Sequence, residues 1–342
     1  MNRRLFSLPA LVAGFLLAAA PGPAAQSNPF VGSWNISGTG PDASMDNHWL
    51  EIKDEGGKLT GSFLAGSGHA MPLVYARVEN GELLFQRGND KLVPQGTEYR
   101  MRAEGGRLVG SYTAAQGGRR GGAAATEAAA PAAPPPAPRV INIVGVRRPT
   151  WPALNGNGKH TYGTPVALVD GKTMDAWEFI PSNRPAGWSI VNGVMTKPEQ
   201  GQNLRSKQSF QDFKLEAEFR VGTGSNGGIY LRGRYEMQLM DDFGRPASPG
   251  GNMSYYHRAT PTMNASKPAG EWQTVEIILV GNRLSVTLNG QRIHDNVEVI
   301  GITGGAMDND ETAPGPFMLQ GDHAGDISFR KFLVTPITKP GN

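Results

Sequence analysis

The sequence predicts an all-β protein made of two β units, a small barrel followed by a two-sheet sandwich. Three observations carry this. Glycine (46) and proline (26) are abundant among 342 residues and no stretch shows sustained helical periodicity, a composition of turns and short strands. A nine-residue pattern occurs twice in the first third of the chain. From residue 165 onward, strand patterns and turn signals alternate without interruption.

The elements follow in order. Arg3 and Arg4 precede an apolar run, Leu11 to Ala20, too short to span a bilayer, and Gly22-Pro23-Ala24-Ala25 offers small residues for cleavage. Residues 1–25 therefore read as a secretory signal peptide, and the protein as exported, periplasmic or secreted, with no integral membrane segment after cleavage. Residues 26–114 form the barrel-like unit. Glu-Gly-Gly-Lys-Leu-Thr-Gly-Ser-Phe (55–63) recurs as Glu-Gly-Gly-Arg-Leu-Val-Gly-Ser-Tyr (104–112). Each copy is a Gly-Gly turn leading into a strand, and two such hairpins suggest a meander that closes on itself. His48 and His69 read as loop residues rather than metal ligands. Residues 115–139 are Gly-, Ala- and then Pro-rich, a composition that cannot bury enough apolar area to order itself. A flexible linker is expected, with few contacts between the units it joins.

Residues 140–342 form the second unit, with 140–164 expected to wrap it. Lys214 to Val221 alternates apolar and charged residues, Trp272 to Val280 is apolar enough for a central strand, and Leu284, Val286 and Leu288 alternate up to Asn289-Gly290, a strong hairpin signal. The formal net charge is +3, two charges of it in the leader, so a nucleic-acid footprint is absent. There is no cysteine, which excludes disulfides, thiolate metal sites and cysteine nucleophiles.

The functional signal lies between Asn226 and Asp241. Ile229, Leu231, Met237 and Leu239 fall on one parity, and Tyr230, Arg232, Glu236 and Gln238 on the other. Side chains at i and i+2 share a strand face, so one face packs while the other presents donors, acceptors and a carboxylate suited to a sugar. A three-residue loop at 233–235 keeps the polar set together, with Arg232 facing Glu236 and Tyr230 facing Gln238. A two-residue loop at Gly233-Arg234 splits it. The plainer reading is a solvent-facing hairpin with an Arg–Glu pair.

An ordered series of motifs then resembles the 3-keto-disaccharide hydrolase family over about residues 165–337. It comprises Leu168-Val169-Asp170-Gly171-Lys172 through Trp177, Trp188-Ser189-Ile190-Val191-Asn192-Gly193, Phe210-Gln211-Asp212-Phe213, and Asn226-Gly227-Gly228-Ile229-Tyr230-Leu231-Arg232-Gly233. Tyr235-Glu236-Met237-Gln238-Leu239-Met240-Asp241, Gly270-Glu271-Trp272-Gln273, Leu288-Asn289-Gly290 and Leu319-Gln320-Gly321-Asp322-His323 complete it. Gly227 stands where the family commonly has Ser, and a Gly-Asp pair precedes His323 where one residue often suffices. The resemblance implies a concanavalin-like jelly-roll sandwich and a carbohydrate substrate, a glycoside oxidised at C3.

Ordinary glycoside hydrolysis uses two carboxylates across the bond, and the polar row supplies one, Glu236. Asp241 has the opposite parity and joins only if a bulge re-aims it. A 3-keto sugar needs less: a base for the acidified C2 proton, a group at the enolate oxygen and an acid for the leaving oxygen. Glu236 or His323 is expected as base and Arg232 at the enolate. Gln238, Gln320 and Asp241 are expected to hold substrate, and Tyr230 to donate to the leaving group. No cofactor is required by the residues. A divalent cation held by Glu236, Asp241 and His323 would polarise the keto oxygen. Asp308-Asn309-Asp310-Glu311 carries calcium-type oxygen ligands but lacks the glycine of an EF-hand loop, and a solvated acidic loop is expected. Trp177, Trp188 and Trp272 are expected in the core. A non-catalytic carbohydrate-binding module, or a structural adhesion domain, would share the fold.

Overall fold

The duplicated Gly-Gly hairpins set the geometry of the first unit. In the computed structural model, which describes residues 28–42, 47–88, 96–114 and 139–341, Gly56 and Gly57, and likewise Gly105 and Gly106, all take positive φ, so each Gly-Gly pair turns the chain tightly. The copies end in strands crossing their partners closely: a Cβ at Gly61 would lie 1.8 Å from Glu51 O, and one at Gly110 1.8 Å from Arg100 O. The strands are β1 (Gly32–Gly38), β2 (His48–Glu55), β3 (Lys58–Ala65), β4 (Met71–Glu79), β5 (Glu82–Arg87), β6 (Glu98–Glu104), β7 (Arg107–Ala114) and β8 (Arg139–Arg147). They form a closed barrel in chain order, around a core with Trp34, Phe63, Phe85, Tyr99 and Ile143.

The eighth strand corrects the expected boundary. Arg139–Arg147 does not begin a wrap of the sandwich; it pairs with β1 and with β7 and so closes the barrel. Its burial alternates, with Ile141 and Ile143 inside. The leader, and the linker apart from Arg139, lie outside the described residues. His48 is a buried residue of β2 rather than a loop residue, and its ring lies beside Phe63.

The second unit is a sandwich of two antiparallel sheets. Its strands are β9 (Thr161–Tyr162), β10 (Val166–Val169), β11 (Trp177–Phe179), β12 (Ser189–Val191), β13 (Val194–Lys197), β14 (Leu204–Phe210) and β15 (Phe213–Val221). Then come β16 (Asn226–Leu231), β17 (Tyr235–Met240), β18 (Gln273–Val280), β19 (Arg283–Leu288), β20 (Gln291–Glu298), β21 (Gly315–Leu319) and β22 (Ile327–Lys339). The larger sheet runs β12-β13-β22-β15-β18-β19-β20, with β9 and β10 also on β22; the smaller runs β11-β14-β21-β16-β17. The long β22, 13 residues, anchors the larger sheet. Phe317 of the smaller sheet meets Phe213 and Phe332 of the larger at 4.8 and 5.1 Å between rings, interdigitation that fills a sandwich core. Trp177 and Trp188 are core residues, while Trp272 lies between the guanidinium groups of Arg220 and Arg330. Among the described residues no helix is long and apolar enough to cross a membrane.

The two units are not loosely tethered, as the linker composition suggested. Leu50 and Ile52 of β2 point into the barrel, whereas Trp49 between them points outward and joins the sandwich core. The guanidinium of Arg258 covers its ring at 3.9 Å. The acidic run 308–311 is a latch between the units rather than a solvated loop. Glu311, 1% exposed, accepts from Asn35 of the barrel at 3.0 Å, from Arg148 at 3.2 Å and from Tyr235 at 3.2 Å. Asn309 donates to Ser37 Oγ at 2.8 Å. A buried carboxylate with this many donors is held only while both units are in place.

Candidate active site around Glu236

The β16–β17 hairpin turns on residues 232–234, with Leu231 opposite Tyr235, Tyr230 opposite Glu236 and Gly228 opposite Gln238. The loop has three residues rather than two, but sits one position earlier than 233–235. Tyr230, Glu236 and Gln238 therefore keep a common face, and Arg232 leaves it. Arg232 and Gly233 occupy the left-handed region at φ 53° and 69°, the backbone such a turn requires. The hairpin is buried along both strands, which removes the solvent-facing alternative.

Arg232 is not available at an enolate. Its guanidinium is fully buried and donates to Gln211 O at 2.6 Å, to Gly281 O at 2.8 Å and to Asp212 Oδ1 at 3.0 Å. It holds the turn against the β15 and β18 ends. Asp241 is also elsewhere: its Oδ2 accepts from Gly224 N at 2.9 Å, closing the turn before β16. The triplet Glu236–Asp241–His323 is thus not assembled, and among the described residues no three His, Asp or Glu side chains are placed to hold a metal.

Glu236 lies across its neighbour strand. A Cβ on Gly228 would stand 2.6 Å from Glu236 Oε1 and 3.1 Å from its Cδ, so the carboxyl occupies the space a side chain would have taken. The Glu236 backbone N–H donates to Thr303 Oγ1 at 2.9 Å. Glu236 is 4% exposed. Burial, with a smaller push from the charge of Asp322, raises its pKa to about 8, against the opposing hydrogen bond of Tyr230, as desolvation of a carboxyl does. Tyr230 Oη donates to Gly304 O at 2.8 Å. The phenol has one proton, so a neutral Glu236 acts as donor in its contact with Tyr230, while an ionised Glu236 competes for that proton. Burial raises the Tyr230 pKa well above its ordinary value, and the phenol stays protonated.

The rim is made by residues 320–323 and by Tyr256. Gln320 N donates to Gly228 O at 3.0 Å, placing Gln320 beside the Glu236 cradle, and its side-chain Oε1 is buried without a donor. His323 is half-exposed, with Nδ1 2.9 Å from Asp322 Oδ1. Burial works against ionisation of Asp322, but the His323 contact wins and holds its pKa below the ordinary value. The charge of Asp322 acts on both Glu236 and Tyr230. Tyr256 N donates to Glu236 O at 3.0 Å. Gln238 shares the face of Glu236 and donates to Asn226 Oδ1 at 2.8 Å.

Of the residues expected from the sequence, Glu236, Tyr230, Gln238, Gln320 and His323 gather here. Gly228, Asp322 and Tyr256 were not foreseen. The Gly-Asp pair before His323, noted only as a departure from the family pattern, supplies the aspartate that orients the histidine. Another departure, Gly227, has a steric cause: a Cβ there would stand 2.4 Å from Ile327 Cδ1.

Lys197 supports the rim from below. It is fully buried, and Nζ donates to His323 O at 3.0 Å and Gly325 O at 2.8 Å. Burial lowers its pKa against the pull of Asp326 and Asp322.

The profile of the 3-keto-α-glucoside-1,2-lyase-like domain matches residues 164–335, half of the chain. A 3-keto-disaccharide hydrolase of Bacteroides thetaiotaomicron is 23% identical over 150 residues, covering 33% of this chain and 52% of the relative. The chain thus spans about half the length of that relative. Among solved structures, a Parabacteroides distasonis protein described as a candidate glycosyl hydrolase is 26% identical with a TM-score of 0.43, covering 56% of this chain and 94% of its own. A non-specific endo-β-1,3(4)-glucanase is 9% identical with a TM-score of 0.37, covering 55% and 94%. The family match spans both sheets and every residue gathered around Glu236, and this chain belongs to the 3-keto-α-glucoside-1,2-lyase-like family, which its motifs resemble under the name of 3-keto-disaccharide hydrolases.

Proposed function

We propose that the protein is an exported glycosidase-type enzyme that cleaves 3-keto-glycosides by removal of the C2 proton, elimination and hydration. The observation that carries this is the buried Glu236 carboxyl, pushed up to about 8 beside Tyr230. A base titrating near neutral pH suits proton abstraction next to a ketone. Asp241 is engaged at Gly224 and Asp322 at His323, which argues against a scheme of two paired carboxylates.

In this reading the ionised Glu236 takes the C2 proton, steadied by Tyr230. The C1–O bond then breaks, and its electron pair leaves on the glycosidic oxygen. His323, oriented by Asp322 as an aspartate orients a histidine in proton-transfer pairs, supplies the proton to that oxygen. Water adds at C1 of the resulting enone and a proton returns to C2, giving a free 3-keto sugar and an alcohol. Gln320 offers its unpaired oxygen to a substrate hydroxyl, and Gln238 fixes the Asn226 amide beside it. The enolate role expected of Arg232 is withdrawn.

Product analysis tests the proposal. The protein is incubated with a 3-keto-glycoside and, separately, with its unoxidised parent. Release of the alcohol and a 3-keto sugar from the first substrate only supports the reading. Sugar binding without release from either substrate would favour the carbohydrate-binding alternative and contradict it.

A further inference from the structure

The barrel reaches the site. Residues 66–70, joining β3 to β4, lie on the sandwich loop 301–306. Gly66 O accepts from Gly305 N at 2.8 Å, and a Cβ on Gly304 would lie 2.2 Å from Gly68 O, so the backbones touch. The same sandwich loop carries Gly304, whose carbonyl accepts the hydrogen bond of Tyr230, and Thr303, whose hydroxyl accepts from the backbone N–H of Glu236. Within the barrel the buried Arg87 donates to His69 O at 3.0 Å and fixes where His69 stands. The His69 ring stacks on His257 of the sandwich, centroids 4.0 Å apart and planes within 13°. His257 in turn meets Tyr256 edge-on at 4.6 Å, and Tyr256 N is bonded to Glu236 O. The Tyr256 phenol feels the charge of Glu236, so a row of rings, Tyr256, His257 and His69, runs from the candidate base outward onto the barrel.

The row is built for polar contact at its outer end. Tyr256 and His69 are half-buried and His257 is exposed. Among the described residues no hydrogen bond uses the ring nitrogens of His69 or His257. A neutral imidazole offers one donor and one acceptor, the pair of functions a sugar hydroxyl satisfies. Partial burial and the neighbouring His69 lower the His257 pKa, which favours the neutral His257 ring. Resting on the function proposed above, the oxidised ring occupies the Glu236 end, and the departing group extends from its C1. A surface running outward from the base meets that group.

We propose that His69 and His257 form an outer subsite, built jointly by barrel and sandwich, that binds the departing half of the substrate, a second sugar ring or an extended polar aglycone, through hydrogen bonds to the imidazole edges. The barrel thereby sets the preference for disaccharides over short glycosides.

The test compares a 3-keto disaccharide with the methyl 3-keto-glycoside of the same ring. His69→Ala and His257→Ala should each lower the ratio of the two kcat/KM values about tenfold, through KM for the disaccharide, as loss of one or two hydrogen bonds does. His69→Gln, which keeps polar reach, should recover part of the loss; His69→Phe, which keeps stacking only, should not. Melting temperatures identify variants whose docking has failed. An unchanged ratio in folded variants, or full recovery by Phe, would overturn the subsite. Calorimetric binding of the unoxidised disaccharide and methyl glycoside separates this from the mechanism. If neither 3-keto substrate is turned over but disaccharide binding still depends on His69, the subsite stands and only the mechanism falls. Binding indifferent to His69 sinks the subsite itself.

Discussion

Glu236 rests on Gly228: a methyl group added to Gly228 would stand 2.6 Å from Glu236 Oε1 and 2.9 Å from its Cγ. The candidate base is thus positioned by the absence of a side chain on the adjacent strand. Gly228→Ala should push the carboxyl away from Tyr230. Overpacking of this kind costs about 1–3 kcal/mol in a packed interior, and a displaced catalytic group loses rate on the order of 10²-fold. Thermal melts and turnover of a 3-keto-glycoside check both, and a fully active Gly228→Ala enzyme would show that Glu236 has room to spare.

Glu236→Gln should abolish most turnover, a loss on the order of 10²-fold or more as for a general base, and it should also change how stability varies with pH. The native carboxyl titrates at about 8, whereas an unfolded one titrates at about 4.3. Between those values the native state binds more protons than the unfolded chain, so this group makes stability fall as pH rises through the window. Gln removes that contribution. Melting curves at pH 5, 7 and 9 should show the variant gaining on the wild type as pH increases, and a constant difference would place the Glu236 pKa in the ordinary range.

The units should not separate cleanly. Glu311→Ala leaves Arg148 without its most buried partner and removes the acceptor of Tyr235 and one of the two acceptors of Asn35, and breaking a buried ion pair from one side costs about 3–5 kcal/mol. A fragment starting at residue 148 loses Trp49 and Leu64 from the sandwich core. Both should melt well below the full chain, and the fragment should lose activity on disaccharides. A fragment as stable and as active as the whole would contradict the joint construction of the site.

Export predicts removal of the leader. Mass spectrometry of protein recovered outside the cytoplasm should place the new N-terminus near Ala25 or Gln26, and an intact Met1 on that material would remove the secretory reading.

Much of this architecture was legible from patterns of short range. Alternation placed β15, whose burial runs strictly in and out, and Asn289-Gly290, both at positive φ, placed the β19–β20 turn. The same alternation found Tyr230, Glu236 and Gln238 on one face. What escaped depended on contacts distant in sequence. The turn at 232–234 is favoured by the seat of Arg232 on Asp212 and Gly281, which no local pattern shows. The alternation of Arg139–Arg147 was visible, but its partners lie across a low-complexity stretch and at the other end of the barrel. The acidic run read as solvated because Asn35 and Arg148, its partners, stand 276 and 163 residues away. Asp322 was seen only as an insertion, although its place next to His323 was the clue to its role.

Deuterium incorporation tests the central claim most directly. The wild-type protein converts a 3-keto-glycoside in D₂O, and the released 3-keto sugar is examined by NMR against an enzyme-free control. Elimination and hydration through Glu236 removes the C2 hydrogen and returns one from solvent, so the account predicts deuterium at C2 in the product, formed at the rate of cleavage and lost together with it in Glu236→Gln. Release of a product that keeps its original C2 hydrogen would contradict the account.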